Sequence, residues 1–293
     1  MNLTVTVLQI VAPVFLLASI GFVWVKVGLE YRIQFVTQLA MTLSLPCLIF
    51  ASLMQTRIDP AALTALSMAS VAAYASVSLV FVALVRLLRL ETRTYTAPLI
   101  FGNTGNLGLP LALFAFGDIG LSYAIIVFAI MALWSYTYGI WLVAGAGSLG
   151  RVAREPLVWA TVLGALFMWQ GWETPTFLTN TLELVGQMAI PMMLITLGVA
   201  VARLSAKGML RALALSVVKL LLCTGIAWGI GAFFALDPVA FGVLVLQVAT
   251  PVAVTSYLLA EKYGADAPSV AGLVVASTLM SVAALPLILA LVL

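Results

Sequence analysis

Residues 101–110, Phe-Gly-Asn-Thr-Gly-Asn-Leu-Gly-Leu-Pro, interrupt an apolar segment that should otherwise form a continuous membrane helix. A second interruption lies at residues 247–256, Gln-Val-Ala-Thr-Pro-Val-Ala-Val-Thr-Ser. Backbone groups that are freed inside a bilayer must be satisfied by protein or by a water-filled cavity. Interrupted helices at matching places in two halves of a chain are typical of a substrate site near the middle of the membrane.

The composition predicts a polytopic membrane protein. Of the 293 residues 64% are hydrophobic and only 8% are charged, whereas soluble domains carry about 25% charged residues. The net charge is +3 and the basic residues are dispersed, so we expect no nucleic-acid partner. There is no histidine, and Cys47 and Cys223 lie in apolar segments. We therefore expect free thiols, no metal site and no cofactor.

A transmembrane helix needs about 20 apolar residues, and on that scale the sequence predicts an all-α protein with ten transmembrane segments. They are roughly 4–27, 34–55, 61–88, 95–116, 119–147, 156–171, 177–202, 209–234, 238–260 and 267–292. Eleven of the 13 Lys and Arg residues follow segments one, three, five, seven and nine, so they fall on one side. The positive-inside rule makes that side cytoplasmic and predicts that both termini are non-cytoplasmic.

The two halves of the sequence match weakly. Pro46 and Pro191 are 145 positions apart, while Gly102 and Ala249, like Gly117 and Gly264, are 147 apart. This near-constant offset predicts a tandem repeat of five helices, and an odd number of spans inverts the second copy. The expected organisation is a first repeat at 1–147, a short cytoplasmic link at 148–155 and a second repeat at 156–293. Segments four and nine should then meet from opposite sides.

The candidate substrate-binding residues lie in the two interruptions. They are Asn103, Thr104, Gly105, Asn106, Gly108 and Pro110 in the first, and Gln247, Thr250, Pro251, Thr255 and Ser256 in the second. Glycine permits non-helical backbone and Pro110 removes an amide donor, so the first segment should unwind. The second half of each broken helix would present its positive N-terminal end to the crossing, which favours an anion and most naturally a carboxylate.

Other residues within the apolar segments have open roles. Pro46 and Pro191 are expected to kink helices near the cavity, with direct substrate contact as the alternative. Lys219 is the only basic residue well inside a segment. We expect its side chain to snorkel or to make a structural pairing, with a counter-charge for an anionic ligand as the alternative.

Acidic side chains are absent from the middle of every segment. Coupling to sodium or protons through a buried carboxylate therefore has no obvious residue, which favours uniport-like transport or coupling through ionisation of the substrate. Without histidine, a mid-membrane acid pair or a recognisable Ser/Lys dyad, we expect no catalytic residues and no enzyme.

The interruptions and two further motifs resemble the auxin efflux carrier family, which includes plant PIN proteins and bacterial relatives. The motifs are the Gly-Asn-Thr-Gly-Asn-Leu-Gly-Leu-Pro run at 102–110, Ser-Leu-Pro-Cys-Leu-Ile-Phe at 44–50, Ile-Pro-Met-Met-Leu-Ile-Thr-Leu-Gly at 190–198 and Ala-Thr-Pro-Val-Ala at 249–253. The resemblance covers essentially the whole chain, and the first motif is the most specific.

This resemblance implies a scaffold domain of helices 1, 2, 6 and 7 and a transport domain of helices 3–5 and 8–10. Helices 4 and 9 would be broken and would cross at the substrate site, which an elevator-type movement carries through the membrane. The implied substrates are organic anions, such as auxin, malate or malonate. Asn103 and the backbone from Thr104 to Pro110 would contact the substrate, with Thr250 and Pro251 facing them.

The link between the halves is short, whereas many PIN proteins carry a long hydrophilic loop there. That departure fits a compact bacterial member, and because no transit peptide is visible we expect the bacterial inner membrane.

The leading interpretation is a secondary carrier of small mono- or dicarboxylates in a lipid bilayer. The alternatives are a sodium-coupled organic-anion symporter resembling the bile acid carriers and an anion-binding membrane receptor without flux. The oligomeric state is open, a homodimer included.

Overall fold

The structure, a computed structural model, describes residues 3–55, 59–144, 156–203 and 208–293. The predicted link at 148–155 and the basic residues Arg57, Arg151, Arg154 and Lys207 lie outside these ranges. Within them the protein is all-α, and the only β-type pairing is a single antiparallel bridge between Gly102 and Val252.

Fourteen α-helices and three short π-helical turns make up the described chain. The helices of the first half are α1 (Leu3–Lys26), α2 (Ile33–Leu39), α3 (Leu45–Gln55), α4 (Pro60–Leu87), α5 (Thr92–Ile100), α6 (Leu109–Trp134) and α7 (Ile140–Ala144). Those of the second half are α8 (Pro156–Gln170), α9 (Thr176–Gln187), α10 (Ala189–Arg203), α11 (Met209–Phe233), α12 (Pro238–Val248), α13 (Val254–Tyr263) and α14 (Ala267–Val292). The π-helical turns are Ala40–Ser44, Thr104–Gly108 and Ser135–Gly139.

Three helices begin with an aspartate that caps the first turn and a proline within that turn. Asp59 accepts a hydrogen bond from an amide of α4, and Asp237 accepts two from amides of α12. Asp266 accepts one from the amide of Ser269 in α14 and a second from its hydroxyl. The carboxylate satisfies amides that lack a helical partner, and proline adds no donor that would need one. These short polar signals fix where the long apolar helices start.

Seven helical stretches of the described residues are long and apolar enough to cross a membrane. One of them, Thr104–Val143, has 40 residues, which is about 60 Å of helix and twice the apolar thickness of a bilayer. It is interrupted at Gly117, where φ is 66° and ψ is −156°. The other differences from the ten predicted segments are that α8 has only 15 residues, and that α12 and α13 are short pieces of 11 and 10 residues.

The helices pack as two groups that also touch each other. In one group α1 packs along α10, and α3 packs against α8 and α9. The first of these contacts is close, because a Cβ atom on Gly21 or Gly198 would overlap the backbone of the partner helix. In the other group α4, α5, α6 and α11 to α14 pack around one another. The two interruptions of the sequence both lie in this second group.

Candidate functional site

The two interrupted segments meet at residues 101–103 and 251–253, which we call the crossing, and exchange backbone hydrogen bonds there. Helix α5 ends at Ile100 and α12 ends at Val248, and the residues that follow each helix run past one another. The Asn103 amide donates to the Pro251 carbonyl at 2.7 Å, and the Ala253 amide donates to the Phe101 carbonyl at 3.4 Å. Each interruption therefore supplies partners for backbone groups that the other has freed.

Small and polar side chains allow this close approach. A Cβ atom on Gly102 would overlap the Thr250 hydroxyl, which itself donates to the Gln247 carbonyl at 2.7 Å. On the next helix, Ser277 accepts a hydrogen bond of 3.0 Å from the Val252 amide. Several of the polar residues at the crossing thus serve the backbone geometry itself.

A cavity of about 290 Å³ opens on one side of the crossing. The described residues that line it are Met41, Phe101, Gly102, Asn103, Gly105, Asn106, Phe128, Met131, Ala132, Ser135, Leu157, Ala253, Thr255, Leu259 and Lys262. Ligand cavities are commonly about 300 Å³ or larger, so this one suits a small molecule. Its walls are mostly apolar, with a few polar groups.

All three π-helical turns contribute to the cavity wall. The turn at Ala40–Ser44 supplies Met41, the turn at Thr104–Gly108 supplies two residues, and the turn at Ser135–Gly139 supplies Ser135. A π-helical turn widens the helix locally and often accompanies a functional site. The backbone is therefore irregular at each of these three places around the cavity.

Asn103 combines burial with an unsatisfied donor. It is 5% exposed and lines the cavity, and its side-chain Nδ2 has no hydrogen-bond partner among the described residues. A buried donor without a partner costs about 1–3 kcal/mol. The chain then enters helical structure at Thr104, and across the cavity it does so again at Val254. Both N-terminal ends face the cavity through Gly105, Asn106 and Thr255, so partial positive charge converges there.

The remaining predicted binding residues are not among the described residues that line the cavity. Thr104, Gly108, Pro110, Gln247 and Ser256 are buried in packing around the crossing. Gln247 packs against Gly108 and donates a 3.4 Å hydrogen bond to the Ala124 carbonyl. Thr250 and Pro251 border a second, much smaller space on the opposite side of the crossing.

The predicted helix-distorting prolines lie where one helical piece follows another inside a longer stretch, Ile33–Gln55 for Pro46 and Thr176–Arg203 for Pro191. Pro46 and Pro191 fall in the first turns of α3 and α10, and neither is among the described residues of the cavity wall. Pro110 likewise lies in the first turn of α6, but the π-helical turn Thr104–Gly108 precedes that turn directly, so the missing amide removes a hydrogen bond inside the helical stretch that begins at Thr104. The non-helical residues 101–103 precede it, so glycine and asparagine, and not this proline, occupy the unwound part of the segment.

Lys262 is the functional candidate that the sequence pattern did not reveal. It is the one formally charged side chain among the described residues of the cavity wall, and its Nζ also lies 5.6 Å from the centre of the Tyr263 ring. In the sequence it belongs to the basic residues that set topology. Its position in the last turn of α13 could have suggested a role at the cavity only once that helix was known to begin at the crossing.

Lys219 does not snorkel. It is 2% exposed near the middle of α11, and its Nζ donates to the Leu99 carbonyl at 2.9 Å. The expected structural pairing is therefore made with the end of α5, on the side of the crossing away from the larger cavity.

Comparisons with known proteins match the chain to a family and to proteins named as transporters. The family described as membrane transport protein, the auxin efflux carrier family that the motifs resemble, matches residues 6–153 and 148–289. The chain is 26% identical over 292 residues to an uncharacterized transporter of Methanothermobacter thermautotrophicus, covering 95% of this chain and 96% of that one. It is 26% identical over 201 residues, 62% of each chain, to a Rhizobium meliloti protein that bears the name "Putative malonate transporter".

The crossing predicts a strict size limit at Gly102. We expect Gly102→Ala to lower the free energy of unfolding by about 1–3 kcal/mol, because the added methyl group meets the Thr250 hydroxyl and presses on the Thr250 carbonyl oxygen. Thermal melting of the purified protein in detergent measures this loss. The matched control is Gly225→Ala, since Gly225 is exposed on α11 and has open space around its Cβ position. Equal melting temperatures for the two variants would contradict the close approach at the crossing.

Proposed function

The chain belongs to the membrane transport protein family, and from this premise we propose that it carries small organic anions, mono- or dicarboxylates, across the membrane. As a member of that family it is a multi-pass membrane transporter and not an enzyme. The observation that carries the proposal is the unpaired Nδ2 of Asn103 in the cavity wall. A carboxylate oxygen would accept the hydrogen bond that this buried donor lacks.

The electrostatics of the cavity support an anionic substrate. The helix N-terminal ends at Thr104 and Val254 face it, and each contributes roughly half a positive elementary charge. Among the described residues of the wall there is no carboxylate, and Lys262 adds a positive charge. Asn103, Gly105 and Asn106, with Thr255 across the cavity, form the proposed binding surface, and Thr104 supports it from behind. We assign Gly108, Pro110, Gln247, Thr250, Pro251 and Ser256 to its support.

A dicarboxylate of malonate or malate size is the substrate class that these features favour. The volume of about 290 Å³ is small for a ligand site, and one relative carries malonate in its name. One carboxylate would bind at Asn103 and the helix ends, and the second would approach Lys262. A monocarboxylate such as an auxin-like indole acid would use the first position alone.

The proposed architecture is ten membrane-spanning segments in two inverted repeats of five. Predicted segment four corresponds to α5 and the chain from Thr104 to Gly117, and segment nine to α12 and α13. Gly117 and Gly264, which the repeat offset pairs, both have positive φ, of 66° and 69°. Their ψ angles differ, at −156° and 33°, so the two positions share the need for glycine and not one conformation. That shared need supports the repeat, as does the meeting of the two interrupted segments. Both termini outside the cytoplasm, the bacterial inner membrane and a homodimer stay predictions.

An elevator-type movement is the mechanism we propose. The group containing α1, α3, α8, α9 and α10 would be the scaffold, and the group containing the crossing would move. The cavity supports this division, because Met41 and Leu157 come from the first group and the other described lining residues come from the second. A site at such a boundary can change its exposed side when one group slides past the other.

The substitution Asn103→Ala tests the site. We expect uptake of labelled malonate into proteoliposomes to fall about 10- to 100-fold, because a hydrogen bond to a charged group contributes about 1.5–3 kcal/mol. The matched control is Asn180→Ala, since Asn180 is exposed on α9, and it should transport normally. Melting temperature shows whether both variants fold. Wild-type flux in a folded Asn103→Ala protein would exclude the assigned site, and stabilisation of the wild type by malonate without flux would identify a receptor.

The substitution Lys262→Gln tests the substrate class. We expect malonate uptake to fall about 5-fold relative to acetate or indole acetate uptake, since a partly solvated charge pair contributes roughly 1 kcal/mol. Initial rates of the three labelled acids in proteoliposomes give this ratio. Lys26→Gln, which removes an exposed lysine from the last turn of α1, is the control. An unchanged ratio in Lys262→Gln would remove Lys262 from substrate selection.

A further inference from the structure

Lys219 is a buried lysine without an acidic partner. No Asp or Glu side chain of the described residues lies within salt-bridge distance of its Nζ. The one ion pair in the described part of the chain joins Arg32 to Glu30 on the surface. The Nζ donates to the Leu99 carbonyl at 2.9 Å and lies 4.0 Å from Cys223 Sγ. A charged side chain inside a membrane protein is costly and normally serves a function.

The Leu99 carbonyl needs this donor because of the crossing. In a continuous helix it would accept the amide of the residue four positions later, which is Asn103. The Asn103 amide instead donates to Pro251 across the crossing. Lys219 therefore replaces a hydrogen bond that the crossing has removed, and it does so at the negative, C-terminal end of α5.

The second interrupted helix ends at the same place. The space of about 10 Å³ beside Lys219 is also bordered by Ala249, Thr250 and Pro251, which follow the last residue of α12. The two helix N-terminal ends thus face the larger cavity, whereas Lys219 lies beside the two C-terminal ends. The crossing separates a site for negative charge from a site for positive charge.

We propose that Lys219 is a built-in cation that occupies the position where a sodium-coupled carrier would bind its ion, so that transport here needs no sodium. Carriers with broken helices hold their coupling ion at half-helix C-terminal ends and unwound carbonyls. Here the ammonium group already neutralises such an end. The remaining space beside the Nζ holds about one water molecule, and a sodium ion placed there would be repelled by the adjacent ammonium group. This inference rests on the proposed carrier function.

Wild-type protein provides the first test. Malonate uptake into proteoliposomes should change less than about 2-fold when sodium is replaced by choline at equal ionic strength, and the melting temperature in detergent should be the same in both salts. A 5-fold or greater loss of uptake without sodium, or stabilisation by sodium over choline, would overturn the proposal. The melting arm does not depend on transport, so it stays informative if malonate is not carried.

Removing the amine provides the second test. Lys219→Met keeps the length of the side chain without its charge and should lower both malonate uptake, at least 10-fold, and the melting temperature. Lys219→Ala opens space beside the Leu99 carbonyl, and its melting temperature should rise when methylammonium or sodium chloride replaces choline chloride. Lys26→Met is the control, with no cation-specific response expected.

The outcomes separate the two proposals. Near-normal uptake and melting by Lys219→Met would show that no cation is needed there, which would overturn the role of Lys219 while leaving the carrier function intact. Wild-type uptake that follows an imposed pH gradient, and loses this dependence in Lys219→Met, would make Lys219 a moving proton carrier and would also overturn the fixed-cation role. Absence of carboxylate flux in the wild type, with the expected cation responses in melting, would instead count against the carrier function alone.

Discussion

The pair of backbone hydrogen bonds between residues 101–103 and 251–253 is the interaction on which the site depends. Two helices that end inside an apolar region would each leave amides and carbonyls without partners, and every such group costs several kcal/mol in hydrocarbon. Because the Asn103 amide donates to the Pro251 carbonyl and the Ala253 amide to the Phe101 carbonyl, each interruption pairs backbone groups that the other leaves free. Neither break is therefore favourable without the other, and both must be kept together.

The crossing also places partial positive and partial negative charge on different sides, because each broken helix has an N-terminal and a C-terminal end there. The N-terminal ends line the cavity near Asn103 and Thr255, and the C-terminal ends lie beside Lys219. No acidic side chain is needed among the described lining residues to make one side suited to an anion. The polarity arises from backbone dipoles, and single side chains adjust it on either side, Lys262 at the cavity and Lys219 behind it.

The sequence predicted the two interruptions because glycine, asparagine and proline act locally on helix geometry. It also predicted that Asn103 and Thr255 belong near one site, and the structure brings both to one cavity. It could not separate Gln247 and Thr250 from them, since a polar side chain that supports the backbone has the same local signature as one that faces a cavity. The environments of Lys219 and Lys262 depend on which helices are neighbours in space. A lysine side chain is long enough for its amine to reach water, a cavity or a buried carbonyl from the same sequence position.

The same contacts constrain how a carrier with this site could move. The hydrogen bonds of the crossing, the support of Val252 by Ser277 and the contact of Lys219 with Leu99 all join elements of one packing group. The cavity, in contrast, is completed by Met41 and Leu157 from the other group. A rearrangement within the crossing would have to break several buried hydrogen bonds at once. Sliding at the boundary between the two groups breaks none of them, so the bound anion, the crossing and Lys219 would travel as one unit.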